Sequence, residues 1–177
     1  MGMEKGLCIL NGKPLIEYSI ELLSDICNNV IISANSNDYD YLGLPVIKDK
    51  KRGIGPIGGL SAALHFSKTE DNFVLSCDMP FISIELARYI LSERKEYQAV
   101  VPKNSGFYEP LCAFYRRNAV DEFDKTIKKG IYKIQRALQF LNVRFIDIDP
   151  KKDFGNELLF VNINTEENLR KFEIGNS

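Results

Sequence analysis

The sequence predicts an α/β fold, a three-layer αβα sandwich with a Rossmann-like, mostly parallel sheet and an antiparallel addition in its second half. Short apolar runs alternate with amphipathic helical segments through the first half of the 177 residues. After Gln98, apolar runs follow one another more closely. The composition, 45% hydrophobic and 27% charged, is that of an ordinary globular protein. We expect one domain that covers residues 1–177.

The first half alternates helix and strand. Each predicted helix has apolar residues that recur on one face. Each predicted strand is a short apolar run that stops at polar or glycine residues, as a buried parallel strand does. The predicted helices cover residues 14–26, 60–67 and 83–94, and the predicted strands cover 30–32, 45–47 and 73–77.

The second half is richer in strands. A helical pattern runs through residues 119–140 and is interrupted at Gly130. Asn164 is predicted to cap a last helix, with Glu167 as its capping-box partner. The predicted strands cover 99–101, 111–115, 143–148 and 158–163.

Charge and cysteine content exclude several classes of protein. The chain has 23 basic and 24 acidic side chains and a net charge of −1, which does not suggest nucleic-acid binding. No apolar run approaches about 18 residues, so no membrane span is expected. The 4 cysteines form no C-x-x-C pair and are expected to be reduced thiols of a cytoplasmic protein. His65 has no neighbours at zinc-ligand spacing and is expected to be structural.

Three predicted strand ends carry polar or glycine residues, at 33–37, 49–59 and 78–80. Ligands of open parallel sheets bind beyond the carboxyl ends of the strands, so a site is expected there. Asp78 is the sharpest candidate, because a carboxylate fixed at a strand end suits Mg²⁺. The alternative is that Asp78 only caps the turn before Pro80.

Residues 53–58 match the pattern G-x-G-x-x-G, and Asp78 follows at the distance expected of a ribose-binding acid. A dinucleotide-binding domain is therefore an open alternative. Two features weaken it: a basic cluster at 48–52 separates the glycines from the strand, and Pro56 removes one backbone N–H from the loop. In either case, glycines allow the backbone to approach a ligand closely.

Other polar residues are weaker candidates. Asp49 ends a strand beside the glycine loop and is placed to accept hydrogen bonds from a sugar or base. Asn162 and Asn164 alternate with apolar residues along a predicted strand, so both are predicted to face the same side. Glu109 either belongs to a turn or projects a carboxylate at the sheet edge.

Six short motifs occur in order along nearly the whole chain. Together they resemble the molybdenum cofactor guanylyltransferases, which belong to the nucleotidyltransferase superfamily of nucleotide-diphospho-sugar-transferase-like fold. The motifs are M-G-x-x-K-G at 1–6, L-N-G-K-P-L at 10–15, G-P-I-G-G-L at 55–60, C-D-M-P at 77–80, E-P-L at 109–111 and F-V-N-I-N-T-E-E-N-L at 160–169.

This resemblance implies an activity and its ligands. GMP would be transferred from Mg-GTP to the terminal phosphate of molybdenum-bound molybdopterin, with release of pyrophosphate. Protein partners that deliver the cofactor are compatible with this activity. The resemblance makes Lys5 and Asp78 catalytic: Lys5 binds the nucleotide phosphates and Asp78 holds Mg²⁺.

The resemblance also divides the remaining candidates between the two substrates. Ser33 departs from the Asn-x-Asn pattern that the family commonly has at this strand end. The nucleotide side comprises Ser33, Asn35, Asp49, Gly55, Gly58 and Gly59, and the pterin side comprises Glu109, Asn162 and Asn164.

The family pattern includes an apolar strand and an L-A-G-G-x-S-x-R loop ahead of Met-Gly, and this sequence begins at Met1. We expect that the sequence starts at an internal methionine. The alternatives are a segment outside this numbering, or a degenerate homologue in which the neighbouring strands keep unpaired backbone. If the 177 residues are the whole protein, GTP binding is expected to be weak or absent. A cytidylyltransferase or another related nucleotidyltransferase, and a non-catalytic homologue, also remain open.

Overall fold

The computed structural model describes residues 4–51 and 53–173. Met1 and Gly2 of the first motif, and Arg52 of the basic cluster, lie outside the described residues. Within the described part, no helix combines the length and apolar character needed to span a membrane. The α-helices are Leu15–Ile26 (α1), Pro56–Phe66 (α2), Ile84–Ser92 (α3), Ala119–Lys128 (α4), Ile134–Ala137 (α5), Pro150–Phe154 (α6) and Glu166–Phe172 (α7).

The strands form three separate sheets. β1 and β2 make a hairpin, β3 and β4 make a parallel pair, and the remaining strands make one five-stranded sheet. The strands are Ile9–Leu10 (β1), Lys13–Pro14 (β2), Ile32–Ser33 (β3), Val46–Ile47 (β4), Asp71–Leu75 (β5), Ala99–Asn104 (β6), Phe107–Tyr108 (β7), Cys112–Arg116 (β8) and Val143–Ile148 (β9).

The five-stranded sheet has β8 between β5 and β6, and β9 lies on the other side of β6. β6 and β9 are parallel, while β8 runs antiparallel to both β5 and β6. Strands β5, β6 and β9 therefore point the same way and β8 opposes them, which confirms the predicted mixture. In the described residues, β3 and β5 each pair on one side only, and no ladder joins them.

Helices cover both faces of this sheet. Val101 and Tyr115 face α2 and α4, where they pack with Leu64 and Phe123. Their neighbours along the strands face the other way, because side chains alternate in a strand. On that second face α3 packs against the sheet through Leu86 and Ile90. This second cluster includes Leu86, Ile90, Val100, Cys112, Phe114 and Ile146.

The β1–β2 hairpin was not predicted, although the sequence contains its signal. Asn11 and Gly12 both have positive φ, 49° and 79°. Asn-Gly with two positive φ values is typical of the tight turn that matches strand twist. The hairpin leads directly into α1.

The strand predicted at 158–163 is wrong: residues 157–160 form a turn, and 161–164 have no regular secondary structure. Asn156 explains this, because its Oδ1 accepts from the Leu158 backbone N–H at 2.9 Å and draws the chain into the turn. The predicted cap of the last helix is also wrong. Thr165 is the N-cap of α7, and its Oγ1 accepts from Asn168 N at 3.1 Å.

The helix predicted at 60–67 begins earlier, at Pro56. Proline suits the first position of a helix because its missing N–H would have no partner there. Gly55 precedes it with φ 75° and ψ −165°, a conformation that favours glycine. Part of the glycine loop is therefore the first turn of α2.

Candidate functional site

Asp78 lies just beyond the carboxyl end of β5, in a turn closed by a hydrogen bond from Met79 N to Ser76 O. The Ser76 hydroxyl donates to Asp78 Oδ1 at 2.6 Å. For Asp78 Oδ2, the described residues supply no recorded hydrogen bond. The carboxylate is thus held by one oxygen, and Ser76 is a site residue that the sequence reasoning missed.

Lys5 lies in a short 3₁₀ helix, Lys5–Leu7, and reaches the C-terminal part of the chain. Its Nζ donates to Asn164 Oδ1 at 2.7 Å. The preceding residue, Ile163, donates its backbone N–H to Asp78 O at 2.8 Å. The consecutive residues Ile163 and Asn164 therefore hydrogen-bond to the predicted metal-binding aspartate and to the predicted phosphate-binding lysine, respectively.

The charges of Asp78 and Lys5 both act on the Cys77 thiol. The pKa of Cys77 is raised to about 11, mainly by burial and then by the Asp78 carboxylate, while the Lys5 ammonium opposes the rise. The thiol thus lies within range of the charges of both Asp78 and Lys5, because charge effects weaken with distance.

Gly6 allows the backbone beside Lys5 to pass close to Tyr39. A Cβ at Gly6 would lie 2.7 Å from the hydroxyl oxygen of Tyr39, which is 3% exposed. That hydroxyl donates to Glu4 Oε2 at 3.3 Å. The K-G pair of the first motif therefore has a packing reason: the lysine needs a glycine beside it to pass over the buried Tyr39.

A second cluster joins the ends of β3 and β4. Asn35 Nδ2 donates to Asp49 Oδ2, and Asp49 N donates to Asn35 Oδ1, each at 3.1 Å. A Cβ at Gly59 would lie 2.6 Å from Ser33 Oγ and 3.3 Å from Asp49 Oδ1. The structure thus brings together four predicted nucleotide-side residues, with the first turn of α2 against both strand ends.

The remaining loop glycines serve the loop itself. Gly55 has a positive φ and open space around it. Gly58 is buried, and a Cβ there would lie 3.0 Å from Ile54 Cγ1. Backbone conformation explains the first glycine and close packing explains the second.

Glu109 lies in the turn between β7 and β8, where its backbone O accepts from Cys112 N at 3.1 Å. The pKa of this half-buried carboxyl is raised to about 7, mainly by burial and further by the Asp78 charge. Glu109 therefore lies within range of the Asp78 charge, and its place on the pterin side stays a prediction. Asn162 contacts its own segment instead, donating to Phe160 O at 3.4 Å. With no strand present, the prediction that Asn162 and Asn164 share a strand face fails.

A pocket of about 360 Å³ lies beside Glu109, between residues 54–56, 110–111 and 132–135. The last of these segments was not predicted as part of a site. Lys51 Nζ donates to the Tyr132 hydroxyl at 3.0 Å at this end of the glycine loop. The signal in the sequence was weak, because a lysine and a tyrosine 81 positions apart show no pattern.

His65 is structural, as predicted. Its Nε2 lies 2.8 Å from Asp124 Oδ2, and the Ser61 hydroxyl donates to Asp124 Oδ1 at 2.8 Å. These contacts join α2 to α4. Among the described residues, no group of three or more His, Cys, Asp or Glu side chains forms a metal cluster.

Asp78 nevertheless fits Mg²⁺, which uses one or two carboxylates and completes its shell with water and phosphate oxygens. One Asp78 oxygen is held by Ser76, which orients the other. The Asp78 charge also adds to the rise in the pKa of Glu109, although burial is the larger cause of that rise.

Known proteins resemble this chain over most of its length. The family described as MobA-like NTP transferase domain matches residues 1–143. A probable molybdenum cofactor guanylyltransferase of Clostridium perfringens (strain SM101 / Type A) is 32% identical over 169 residues, 90% of this chain and 84% of the relative. The molybdenum cofactor guanylyltransferase of Vibrio vulnificus (strain YJ016) is 31% identical over 97% of this chain and 87% of its own.

Solved structures give the same result. Molybdopterin-guanine dinucleotide biosynthesis protein A from Archaeoglobus fulgidus is 32% identical, with a TM-score of 0.80 over 97% of this chain and 90% of its own. A cytidylyltransferase from Thermus thermophilus has a TM-score of 0.73 at 15% identity over 96% and 92%, and shows the fold alone. The chain therefore belongs to the MobA-like NTP transferase family and is a nucleotidyltransferase.

Proposed function

We propose that this chain transfers GMP from Mg-GTP to the terminal phosphate of molybdenum-bound molybdopterin and releases pyrophosphate. The observation that carries the proposal is the meeting of Lys5 and Asp78 on one segment, through Asn164 and Ile163. The Clostridium and Vibrio relatives, which bear the name of this activity, support it.

In this reaction an oxygen of the acceptor phosphate forms a bond to the α-phosphorus of GTP, and the bond to the β-phosphate oxygen breaks. Since the attacking group is already an ionised phosphate, no strong general base is needed. Catalysis then depends on positioning and on charge stabilisation. This explains how a chain with one histidine can supply the site.

Each residue has a defined task. Lys5 uses one of its ammonium donors on Asn164 and directs others to the nucleotide phosphates. Asp78 holds Mg²⁺, which neutralises phosphate charge when bound. Asn35 and Asp49 bind guanosine, with Ser33, Gly55, Gly58 and Gly59 forming the adjacent backbone. Glu109, Asn162 and Asn164 line the acceptor side.

We also propose a cytoplasmic location and contact with proteins that deliver the cofactor. The cysteines in the described chain, including Cys77, are free thiols, which fits a reducing compartment.

The test is calorimetric titration of the purified chain with GTP, CTP and NAD, each with and without Mg²⁺. We expect Mg²⁺-dependent GTP binding that Asp78→Ala abolishes. The matched control is Asp71→Ala, at the opposite end of the same strand, where the carboxylate pairs with Arg94 Nε at 3.0 Å. That variant should keep the wild-type affinity. Transfer of labelled GMP from GTP to molybdenum-bound molybdopterin should likewise be lost in Asp78→Ala and kept in Asp71→Ala.

Other outcomes identify the alternatives. Preference for CTP would assign the chain to a cytidylyltransferase activity. Tight NAD binding without Mg²⁺ would contradict the proposal in favour of dinucleotide binding. Binding of none of the three would indicate a non-catalytic homologue.

A further inference from the structure

The segment Ile163–Asn164 hydrogen-bonds to Lys5 and Asp78, the two residues on which the proposed reaction depends. Asn164 Oδ1 accepts from Lys5 Nζ at 2.7 Å, and Ile163 N donates to Asp78 O at 2.8 Å. These groups are 159 and 85 positions from their partners in the chain, so the contacts are entirely tertiary.

The segment is firmly anchored beneath these contacts. Ile163 is 1% exposed and packs with Leu10 and Leu15 of the hairpin and α1. Thr165 starts α7 directly afterwards. Because Thr165 takes the capping position, the Asn164 amide is not used as a helix cap and is available to Lys5.

We infer that Asn164 is a positioning residue of the nucleotide-phosphate site, which acts through Lys5; the inference rests on the proposed function. A lysine side chain is long and flexible, and fixing it costs conformational entropy. An amide oxygen that already holds the ammonium removes part of that cost before the phosphates arrive. Since the oxygen is neutral, it orients the ammonium without cancelling its charge.

This role differs from the acceptor-side contact that the family resemblance implies for Asn164. A residue that contacts only the acceptor has no effect on GTP affinity when the acceptor is absent. A residue that positions Lys5 changes GTP affinity without the acceptor, and only while Lys5 is present.

The experiment is a double-mutant cycle on the Kd for Mg-GTP, measured without acceptor, with Lys5→Ala, Asn164→Ala and the double variant. We expect Asn164→Ala to raise Kd about tenfold, the size typical of one hydrogen bond to a charged group. In the Lys5→Ala background it should change Kd by less than about twofold. Asn164→Asp should weaken binding at least as much, because its carboxylate would pair with Lys5 and repel the triphosphate.

Thr165→Ala is the matched control. Thr165 is the neighbour of Asn164 in the chain. Its replacement removes the cap hydrogen bond from Asn168 N and leaves the Asn164 amide in place. It should keep Kd within about twofold of wild type, provided thermal unfolding shows a folded protein. An unchanged Kd in Asn164→Ala, or an equal loss in both backgrounds, would overturn the inference while leaving the proposed function standing.

A wild-type protein that does not bind Mg-GTP would count against the proposed function alone. In that case a second measurement still tests the role of Asn164. Acetic anhydride labelling of Lys5, read by mass spectrometry, should be slowed by Mg²⁺-pyrophosphate in the wild type. Asn164→Ala should label faster and lose that protection. Lys5 labelling that responds to neither pyrophosphate nor the substitution would refute the positioning role.

Discussion

Asn35 and Asp49 bind each other twice, through the side-chain amide to Asp49 Oδ2 and through the Asp49 backbone N–H to Asn35 Oδ1. Each residue follows a strand of the parallel β3–β4 pair. The two bonds lock the strand ends together and fix the direction of the Asp49 carboxylate. A fixed carboxylate at this place is suited to recognise a pattern of donors such as the edge of guanine.

Asn35→Ala should weaken GTP binding by about 10-fold, because Asp49 loses its orienting partner, and hydrogen bonds to charged groups contribute about 1.5–3 kcal/mol. Asp49→Ala should weaken it at least as much and reduce the preference for GTP over CTP. Calorimetry with both nucleotides checks this. Asn28→Ala, an exposed asparagine just after α1, is the control and should change neither affinity. Unaltered GTP affinity in both site variants would place the base elsewhere.

Gly59→Ala tests the packing of α2 on β3. Alanine gains up to about 1 kcal/mol in helix propensity over glycine. Here its Cβ would lie 2.6 Å from Ser33 Oγ, and such overpacking costs about 1–3 kcal/mol. We expect net destabilisation of about 1 kcal/mol in urea unfolding, together with weaker GTP binding.

Ser33→Ala should reverse the sign of that effect, because the hydroxyl that meets the new methyl is gone. The matched comparison is Gly58→Ala, whose Cβ would meet Ile54 Cγ1 at 3.0 Å and the Lys51 carbonyl at 3.3 Å. Ser33→Ala should not rescue that variant. Equal rescue of both would mean that the Ser33 contact is not the cause.

Secondary-structure elements that depend on local sequence patterns could be predicted from the sequence. The amphipathic repeat gave α1 to within one residue, and the apolar run gave β9, Val143–Ile148, as it stands. The prediction failed at 158–163, where one Asn156 side-chain bond outweighs an apolar run. It also failed at the cap of α7, because Thr165 and Asn164 are both good caps and the bond of Asn164 to Lys5 is a tertiary contact that no local pattern predicts.

The same division holds for the site. Asp78 and Asp49 could be predicted as site residues because ligands of open parallel sheets bind beyond the carboxyl ends of strands. The partnership of Lys5 with Asn164 joins residues 159 positions apart, so no local pattern predicts it. Ser76 lies two residues from Asp78, but nothing in the sequence distinguishes it from an ordinary turn serine.

Asp124 is expected to matter for stability and not for nucleotide binding. Burial alone would raise the pKa of Asp124, but hydrogen bonds from Ser61 and His65 outweigh it and lower the pKa below 3.8. Asp124→Ala leaves the buried Ser61 hydroxyl without this acceptor, which costs about 1–3 kcal/mol. The stabilisation is present above pH 3.8 and fades as the pH falls through the lowered pKa.

Urea unfolding at pH 7 and pH 3 checks this, with GTP affinity as the second readout. Ser61→Ala with Asp124→Ala should cost less than the sum of the two single changes, since the orphaned hydroxyl is then absent. A large loss of GTP affinity in a folded Asp124→Ala protein would contradict a purely structural role.

Glu109 gives the fold a pH dependence of the opposite sign. Its pKa rises from 4.5 to about 7, first through burial and then through the Asp78 charge. The folded protein therefore holds a proton that the unfolded chain releases near pH 4.5, so stability falls as the pH rises from about 4.5 through 7. Glu109→Gln, which mimics the protonated form, should equal wild type near pH 4.5. Above pH 7 it should be more stable by about 1–2 kcal/mol, after allowance for solvent screening of a half-buried group.

Denaturant unfolding in EDTA from pH 4.5 to 8.5 measures this difference. The control is Glu157→Gln, an exposed glutamate paired with Lys151, which should stay within about 0.5 kcal/mol of wild type at every pH. Repeating the series in Mg²⁺ should shrink the Glu109→Gln advantage, because a cation on Asp78 removes part of the repulsion that keeps Glu109 protonated. A pH profile in EDTA identical for wild type and Glu109→Gln would contradict a raised pKa of Glu109 in the folded protein.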